Sequence, residues 1–447
     1  MKKLLAVLLS AAMILGLAAC ASQPAAPAAT EAATTAAATE APAAEAEKVT
    51  LELYCVKTEN LEAWQELERR FEALYPNVDI ELITLEFSSG SSEFITARIA
   101  ADDLPDVLQV SQGGVTSQLL DAGKIEDLKR FKAADSIPQV YKDLLTYSDG
   151  TLFGLAQGAA FATMYYNMDI LEKAGWTTIP TNWDELIQCC KDVKEKTDAA
   201  PIVTSGQHGT LLYFTPELIA AHVCGLGQNE YEEQFRAGKF DWTAYPEIEQ
   251  RLEEIQPYFI TGAASMVEDD IATMMADGAA AMALAGNWTA ASVCDATAEA
   301  AGGMDKVKAS LPPFNKAGEA TWASVAPEDG FGITKDAKRS PAEQEALETF
   351  YEWLYLPENF RCIQNSSGSV PVLTTFTDDQ IVLPEPIVPV VAPMNAAPSI
   401  LMGFNIWTTE YNDAAKTVLL DWISGNATAK QVVDTMWEAE QKYPKNK

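Results

Sequence analysis

The chain has 447 residues, of which 48% are hydrophobic, and its formal net charge is −33 at pH 7. This length allows two or three domains with a sizeable apolar core. Because so acidic a surface repels phosphates and anionic headgroups, we expect neither nucleic acid nor a lipid surface to be the ligand. A neutral or cationic ligand is compatible with the charge.

The first residues have the pattern of an export signal. Lys2 and Lys3 precede an apolar run at 4–17, and small residues lead directly to Cys20. A cysteine in that place can be acylated, so residues 1–20 are predicted to be a lipoprotein signal peptide with Cys20 as the lipid anchor. An ordinary secretory signal with an incidental cysteine is the alternative.

Residues 21–48 consist almost wholly of Ala, Pro, Thr and Glu. Such a segment buries too little apolar surface to offset the entropy of ordering, so it is predicted to be a disordered tether. Its span as a flexible coil is on the order of 30 Å. That span suits a protein held at the outer face of the cytoplasmic membrane, in an extracellular or periplasmic position.

The six cysteines after the anchor are an even number, which in an exported protein leaves disulfides as the alternative to free thiols. They are widely spaced and have apolar neighbours, which favours free buried thiols at positions 55, 189, 190, 224, 294 and 362. The chain has two histidines and no paired-cysteine spacing, so no metal is predicted. No phosphate-cradling glycine loop is present, so no cofactor is predicted either.

The first part of the body alternates between strand and helix patterns. The predicted elements are strands at 49–56, 78–85 and 105–110 and helices at 61–74 and 92–101. This order predicts an α/β lobe with a mostly parallel sheet. Because such sheets bind ligands beyond the carboxyl ends of their strands, we expect ligand contacts from Glu59 and Asn60 and from Ser111 and Gln112.

Later segments predict further elements of the same kind. A Gly/Ala-rich strand ends at Asn167, and the short helix after it closes at Gly175. Thr181 or Asn182 is the predicted N-cap of the next helix. The remaining predicted helices are 182–196, 269–275, 341–356, 411–424 and 428–442.

Several short motifs follow one another along the body. They are ADDLPDV (101–107), DG (149–150), FGL (153–155), YYNMD (165–169), LEKAG (171–175), TNWDEL (181–186), the segment 277–288 and SVPV (369–372). In this order and spacing they resemble the extracellular solute-binding proteins of carbohydrate ABC importers, the maltose-binding-like family. Ala156, Asn182 and Ala279 stand where that family usually has proline, threonine and lysine.

The resemblance implies an α/β fold with two lobes, crossing hinge strands and a cleft between the lobes, as in periplasmic binding proteins. It places residues 49–160 plus 328–372 in the N-terminal lobe and residues 161–327 plus 373–447 in the C-terminal lobe. It also implies that a monomer captures a sugar or small oligosaccharide without chemistry and delivers it to the permease subunits of an importer.

Sugars present ring C–H patches rimmed by hydroxyls, so a binding site needs aromatic faces together with amide and carboxylate groups. Trp288, next to Asn287, is the first aromatic candidate, because the tryptophan of this turn often faces the cleft in the resembling family. Trp183 opens a helix in a framework motif of the resembling family and is expected to pack rather than stack on a ligand, and Trp64 falls on a helical apolar face and is expected to lie in the core. Phe161 and Tyr213 are weaker aromatic candidates.

Polar candidates also lie where the chain is expected to cross between lobes. Gln157 belongs to the forward crossing, and Glu328 and Asp329 belong to the return crossing.

A secreted carbohydrate-active hydrolase is the rival class, because glycosidases need two carboxylates. Glu328 and Asp329 are the best located pair, but adjacent residues on a strand point to opposite faces. No Gly-x-Ser-x-Gly elbow is present. A binder of a cationic solute such as a polyamine, and a lipoprotein of the same fold without a transport role, remain open.

Overall fold

The computed structural model describes residues 47–57, 60–85, 90–111, 114–367, 369–376, 382–403 and 408–443. The predicted anchor Cys20 and two of the predicted ligand residues, Glu59 and Gln112, lie outside these ranges. So do the predicted signal peptide and all but the last two residues of the predicted tether.

Two mixed β-sheets carry helices that are distributed along the whole described chain. The strands are β1 (Val49–Lys57), β2 (Val78–Leu85), β3 (Val107–Val110), β4 (Leu155–Ala156), β5 (Ala159–Asn167), β6 (Ala200–Val203), β7 (Ala280–Gly286), β8 (Val307–Ser310), β9 (Ala323–Pro327), β10 (Gly330–Ile333) and β11 (Ser399–Leu401). The helices of the first half are α1 (Leu61–Leu74), α2 (Gly90–Ala101), α3 (Gly114–Asp121), α4 (Gln139–Leu144), α5 (Met168–Ala174), α6 (Trp183–Lys196), α7 (Gly209–Val223) and α8 (Gln228–Arg236). The helices of the second half are α9 (Pro246–Ile255), α10 (Glu268–Ala276), α11 (Ala290–Ala301), α12 (Pro341–Leu354), α13 (Pro357–Ser367), α14 (Val388–Ala396), α15 (Thr409–Ile423) and α16 (Ala429–Lys442). Within the described ranges, no helix combines the length and the apolarity needed to cross a membrane.

The first sheet has the strand order β2-β1-β3-β10-β4. The predicted β-α-β-α-β order is confirmed, and β1 runs parallel to both β2 and β3. β4 runs in the same direction as these strands, so the prediction of a mostly parallel sheet is confirmed, and β10 is the exception because it is antiparallel to both β3 and β4. The chain re-enters this sheet at the edge where β3 and β4 end, so β10 has to run the opposite way. We call the body built on this sheet the first lobe.

The second sheet has the strand order β11-β9-β5-β7-β6, and β8 also pairs with β5. Every residue of β5 is buried, and β5 runs antiparallel to β7, β8 and β9. The small residues of β7 are all buried as well, which allows neighbouring backbones to approach closely. We call the body built on this sheet the second lobe.

Helix ends follow the local signals in the sequence. Gly175 ends α5 with a positive φ of 98°, which a glycine adopts without steric cost. The side chain of Asn182 caps α6 by accepting a hydrogen bond from the N–H of Glu185 at 3.1 Å, as predicted. The predicted boundaries of α1 and α5 agree with the structure.

Helix α7 was not predicted from the sequence. It contains Pro216, and its residues from 212 to 222 are all buried, so no polar face gives an amphipathic pattern. A helix that is buried on all sides lacks the amphipathic period that would distinguish it from a buried strand.

Aromatic side chains connect α12 to α1, and the residue after α12 to the first sheet. The ring centroids of Phe71 and Phe350 are 5.1 Å apart, and the hydroxyl of Tyr355 donates to the carbonyl of Leu155 at 2.6 Å. In the second lobe, Trp183 is 3% exposed and its Nε1 donates to Glu254 at 2.9 Å. The predictions that Trp183 and Trp64 belong to the core are confirmed.

All six cysteines in the described ranges are free, and Cys362 alone among them is only half-buried. Burial raises the pKa of Cys189 to about 12 and the pKa of Cys294 to about 12. The prediction of free buried thiols is therefore confirmed for the other five.

The buried imidazole of His222 makes the stability of the fold depend on pH. Its Nε2 accepts a hydrogen bond from the N–H of Trp322 at 3.3 Å, and burial, with Arg251 nearby, lowers its pKa from 6.5 to about 3. Between these two pH values the unfolded chain binds a proton that the folded chain does not. Stability is therefore lost as the pH falls through this window, by at most about 1.4 kcal/mol per pH unit.

We expect His222→Gln, which keeps an acceptor but does not titrate, to lose less stability than the wild type between pH 6.5 and about pH 4. Urea unfolding at each pH measures the free energy of unfolding of both proteins. Equal slopes against pH would show that His222 is not the responsible group.

Candidate functional site

The strands of the first sheet bring several predicted residues to one edge. β1, β3 and β4 end at this edge and β10 begins there, because Gly330 pairs with both Val110 and Ala156. The polar residues that follow or precede these strand ends are Asn60, Ser111, Gln157 and Asp329. The rule that ligands lie beyond strand carboxyl ends therefore applies to this edge.

The second sheet has an equivalent edge. β7 and β9 end where β5 begins, because Gly286 pairs with Ala162 and Pro327 pairs with Ala159. β6 runs parallel to β7 and β11 runs parallel to β9, so they end in the same direction. The turns after these strands are therefore grouped at one end of the second lobe.

The crossing segments join these two edges directly. The N–H of Gln157 donates to the carbonyl of Asp329 at 3.1 Å, and the N–H of Glu328 donates to the carbonyl of Gly158 at 2.7 Å. The N–H of Ala159 also donates to the carbonyl of Val370 at 2.9 Å. The two strand-end edges therefore meet at the crossing, with the polar candidates between them.

Buried polar side chains line this crossing. Gln157 is 3% exposed, and its Nε2 has no hydrogen-bond partner among the described residues. Glu328 is 6% exposed, and a Cβ on Gly158 would lie 2.7 Å from its Oε2. A buried amide donor without a partner costs about 1–3 kcal/mol. A ligand that accepts a hydrogen bond from Gln157 would recover that cost.

The two carboxylates of the return crossing have different surroundings. Asp329 accepts a hydrogen bond from the side-chain amide of Gln109. Glu328 lies against Gly158, near Gln364 and Ser369. These surroundings do not resemble a pair of carboxyl groups facing a common substrate.

Trp288 lies in the turn after β7, at the edge of the second lobe. Its indole is half-buried and covers Gly286 so closely that a Cβ there would lie 2.3 Å from the ring. The hydroxyl of Thr289 donates to the carbonyl of Gly286 at 2.9 Å and so fixes the turn. Phe214 lies beside the indole, with ring centroids 6.3 Å apart. We call Trp288 with Gly286 and Phe214 the Trp288 platform.

Asn287 is fully buried and connects the turn to β5. Its Oδ1 accepts a hydrogen bond from the N–H of Phe161 at 2.7 Å, and its Nδ2 donates to the carbonyl of Ala159 at 3.0 Å. These bonds position the Trp288 platform relative to the crossing. A direct ligand contact from Asn287 stays a prediction, and its bonds to the backbone do not favour it.

Two loops that are distant in sequence meet beside the Trp288 platform. The N–H of Gly206 donates to the carbonyl of Ala263 at 2.9 Å, and the hydroxyl of Ser205 donates to the carbonyl of Met266 at 2.8 Å. This pairing brings His208 within 3.5 Å of the carboxylate of Glu268.

Glu268 also accepts a hydrogen bond from Nε1 of Trp288, and the His208 ring lies 5.9 Å from the indole between centroids. Sequence reasoning did not select Glu268, because nothing in the sequence distinguishes it from Asp269 and Asp270, which follow it in α10.

The other sequence candidates have different surroundings. Phe161 is 0% exposed, and Tyr213 is 3% exposed with its hydroxyl donating to the carbonyl of Asn412 at 2.8 Å. Their roles as aromatic ligand contacts stay predictions that this burial does not favour. Asn60 is buried before α1, and Ser111 is half-buried with its N–H donating to the hydroxyl of Thr116 at 3.4 Å.

The arrangement suits recognition of a small molecule. An aromatic surface, a carboxylate, an imidazole and a buried amide lie at or near the facing edges. No group of three or more His, Cys, Asp or Glu side chains in the described part of the chain could hold a metal ion.

The family described as bacterial extracellular solute-binding protein matches the chain over residues 57–359, which is more than half of its length. The chain therefore belongs to this family.

Solved structures show the same two-lobed fold. A chitin oligosaccharide binding protein superposes with a TM-score of 0.73 at 19% identity, covering 89% of this chain and 99% of that one. The solute-binding protein RafE in complex with raffinose gives 0.73 at 18% identity, covering 89% and 100%. Maltose-bound MalE3 of T. maritima gives 0.70 at 17% identity, covering 88% and 99%.

A protein of Brucella abortus (strain 2308) is similar in sequence, and its name describes it as a presumed binding protein. It is 31% identical over 171 residues, which are 36% of this chain. The match covers 36% of the length of this curated relative, so the chain spans about a third of it.

We expect Gly286→Ala to displace the indole of Trp288, because the new methyl would lie 2.3 Å from the ring. The displacement would appear as a changed tryptophan emission maximum and easier quenching by acrylamide. Gly227→Ala is the matched control, because a Cβ at that position meets nothing within 4 Å. Identical spectra for Gly286→Ala and the wild type would contradict the described packing.

Proposed function

We propose that this protein is the sugar-binding subunit of an ABC importer, held outside the cell by a lipid anchor. The observation that carries this proposal is the half-buried indole of Trp288, held rigidly at the edge where the two lobes meet. An indole with one part exposed and its N–H already bonded offers an apolar surface to the C–H face of a pyranose ring.

Polar groups around the Trp288 platform suit the hydroxyls of a saccharide. Glu268 and His208 adjoin the indole, with side chains that are 27% and 29% exposed. At the crossing, the buried amide nitrogen of Gln157 can donate to a hydroxyl oxygen. The similar solved structures named for chitin oligosaccharide, raffinose and maltose support a sugar or small oligosaccharide as the ligand.

The proposed lobes are residues 49–160 plus 328–372 and residues 161–327 plus 373–447. Hydrogen bonds made by residues before and after position 372 support this division. Tyr355 bonds to Leu155 of the first sheet, whereas the carbonyl of Trp422 in α15 accepts from Gln256 at 2.5 Å in the second lobe. Ligand contacts from both lobes would favour a closed state, which the permease would recognise.

We propose that the ligand is captured unchanged. The different surroundings of Glu328 and Asp329 support a binder rather than a glycosidase. A binder of a cationic solute such as a polyamine is the second candidate, favoured by the carboxylates Glu268, Glu328 and Asp329 near the facing edges. A ligand panel separates the two.

The remaining partners follow from the sequence. Cys20 would carry the lipid that holds the protein at the membrane, and residues 21–48 would form the tether. The importer's permease subunits would be its protein partners, and the binding protein itself would act as a monomer.

The direct test is isothermal titration calorimetry with raffinose, maltotriose, a chitin oligosaccharide and spermidine. We expect a saccharide to bind and Trp288→Ala to weaken binding by at least about ten-fold, because stacking contributes about 1 kcal/mol or more beside the lost apolar contact. Trp322→Ala is the control, because Trp322 precedes β9 at the end opposite the crossing. Equal affinity of Trp288→Ala and the wild type would remove Trp288 from the site.

Binding of spermidine alone would replace the sugar assignment with a cationic ligand. Release of reducing ends from the saccharides at an enzymatic rate would replace the binder with a hydrolase.

The anchor has a separate test. Because two or more acyl chains hold a lipoprotein in the bilayer, we expect Cys20→Ser to move the protein from the membrane fraction to the medium or periplasm. Immunoblots of the fractions measure this change, with Cys55→Ser as the control. A Cys20→Ser protein that stays in the membrane fraction would indicate an uncleaved signal helix.

A further inference from the structure

We infer that Glu268 is the positioning residue of this site and that its carboxylate sets the orientation of the Trp288 indole. The consequence for ligand affinity rests on the proposed function, whereas the orientation itself is a property of the unliganded protein. Glu268 and Trp288 are 20 residues apart in the chain, and their hydrogen bond connects α10 to the turn after β7.

The indole needs such a bond because its other contacts leave part of it exposed. Gly286 supports one side of the ring, and Phe214 and His208 lie at centroid distances of 6.3 and 5.9 Å with tilted planes. These contacts restrict the ring without fixing its rotation. The hydrogen bond from Nε1 to Glu268 is directional and ends on a charged acceptor, which makes it stronger than a neutral bond.

Glu268 is itself held in place by its surroundings. The N–H of Val267 donates to Oδ2 of Asp270 at 2.9 Å at the start of α10. The carbonyl of Met266 accepts from the hydroxyl of Ser205 at 2.8 Å and from the N–H of Gln207 at 3.1 Å. The second carboxylate oxygen lies 3.5 Å from Nε2 of His208. The backbone before α10 and the His208 ring thus restrict the position of the Glu268 carboxylate, and a carboxylate in a restricted position can orient the indole that donates to it.

The same chemistry occurs elsewhere in the second lobe and provides a matched control. Nε1 of Trp183 donates to Glu254 at 2.9 Å, but Trp183 is 3% exposed and packs under Arg251, whose guanidinium lies 4.8 Å from the ring centroid. Loss of Glu254 should therefore affect Trp183 and leave the Trp288 platform unchanged.

The test is an NMR spectrum of the indole N–H groups of the ¹⁵N-labelled mature chain, with Cys20→Ser as the common background. The chain has ten tryptophans, and Trp288→Phe identifies the Trp288 signal by its loss. Glu268→Ala should shift this signal and speed its solvent exchange by about ten-fold or more. Glu268→Gln keeps an acceptor oxygen and should retain exchange within about three-fold of the wild type. Glu254→Ala should move only the Trp183 signal.

Glu268→Met, which keeps the side-chain length without an acceptor, replaces Glu268→Ala if the alanine variant does not fold. An unchanged Trp288 shift and exchange rate in the variant without an acceptor would overturn the inference. An equally large shift and an equally faster exchange of the Trp288 signal in Glu268→Gln would overturn it too. That variant keeps an acceptor oxygen, so loss of the acceptor would then not explain the change.

The functional consequence is measured with raffinose by calorimetry. If raffinose binds the wild type, Glu268→Ala should raise the Kd by about ten-fold and Glu268→Gln by less than about three-fold. An unchanged Kd in Glu268→Ala would show that indole orientation does not govern capture. If raffinose does not bind the wild type, the sugar assignment is in question, while the NMR comparison still decides whether Glu268 positions Trp288.

Discussion

The exchange of backbone hydrogen bonds at the crossing is the constraint on which the rest of the structure depends. Gln157 bonds to Asp329 and Glu328 bonds to Gly158, so the outgoing and returning chains are paired where they leave one sheet for the other. This pairing makes both sheets mixed, because the returning β10 must enter the first sheet against the direction of its neighbours. It also brings the strand-end edges of the two lobes together, so that each lobe contributes its turns to one site.

The parts of this fold that local signals specify could be predicted from the sequence. Apolar periodicity and the following Pro76 predict α1, and the glycine at 175 predicts the end of α5, so both boundaries agree with the structure. The free thiols were also predictable from their apolar neighbours, the core position of Trp64 from helical periodicity, and the core position of Trp183 from the family motif in which it opens a helix. The antiparallel entry of β10 and the fully buried α7 were not, because both depend on tertiary contacts.

Some residues of the candidate site could likewise be predicted from the sequence, whereas others depend on tertiary contacts. Trp288 could be selected because it lies in a motif that resembles a known family, but the contact between Glu268 and His208 could not be predicted. They become neighbours only when the loops at 204–208 and 263–268 pair. Asn287 was selected with Trp288, and in the structure its side chain bonds to the backbone of β5. A rigid indole on one lobe and a buried amide at the crossing together suit a protein that closes around a small molecule.

A crystal structure of the protein with the saccharide that calorimetry identifies would test this account most directly. The account predicts a pyranose ring lying parallel to the Trp288 indole, with Glu268 still bonded to Nε1 and both lobes in contact with an intact ligand. A saccharide bound away from the crossing, for example near Trp322, or density for a cleaved product, would contradict it.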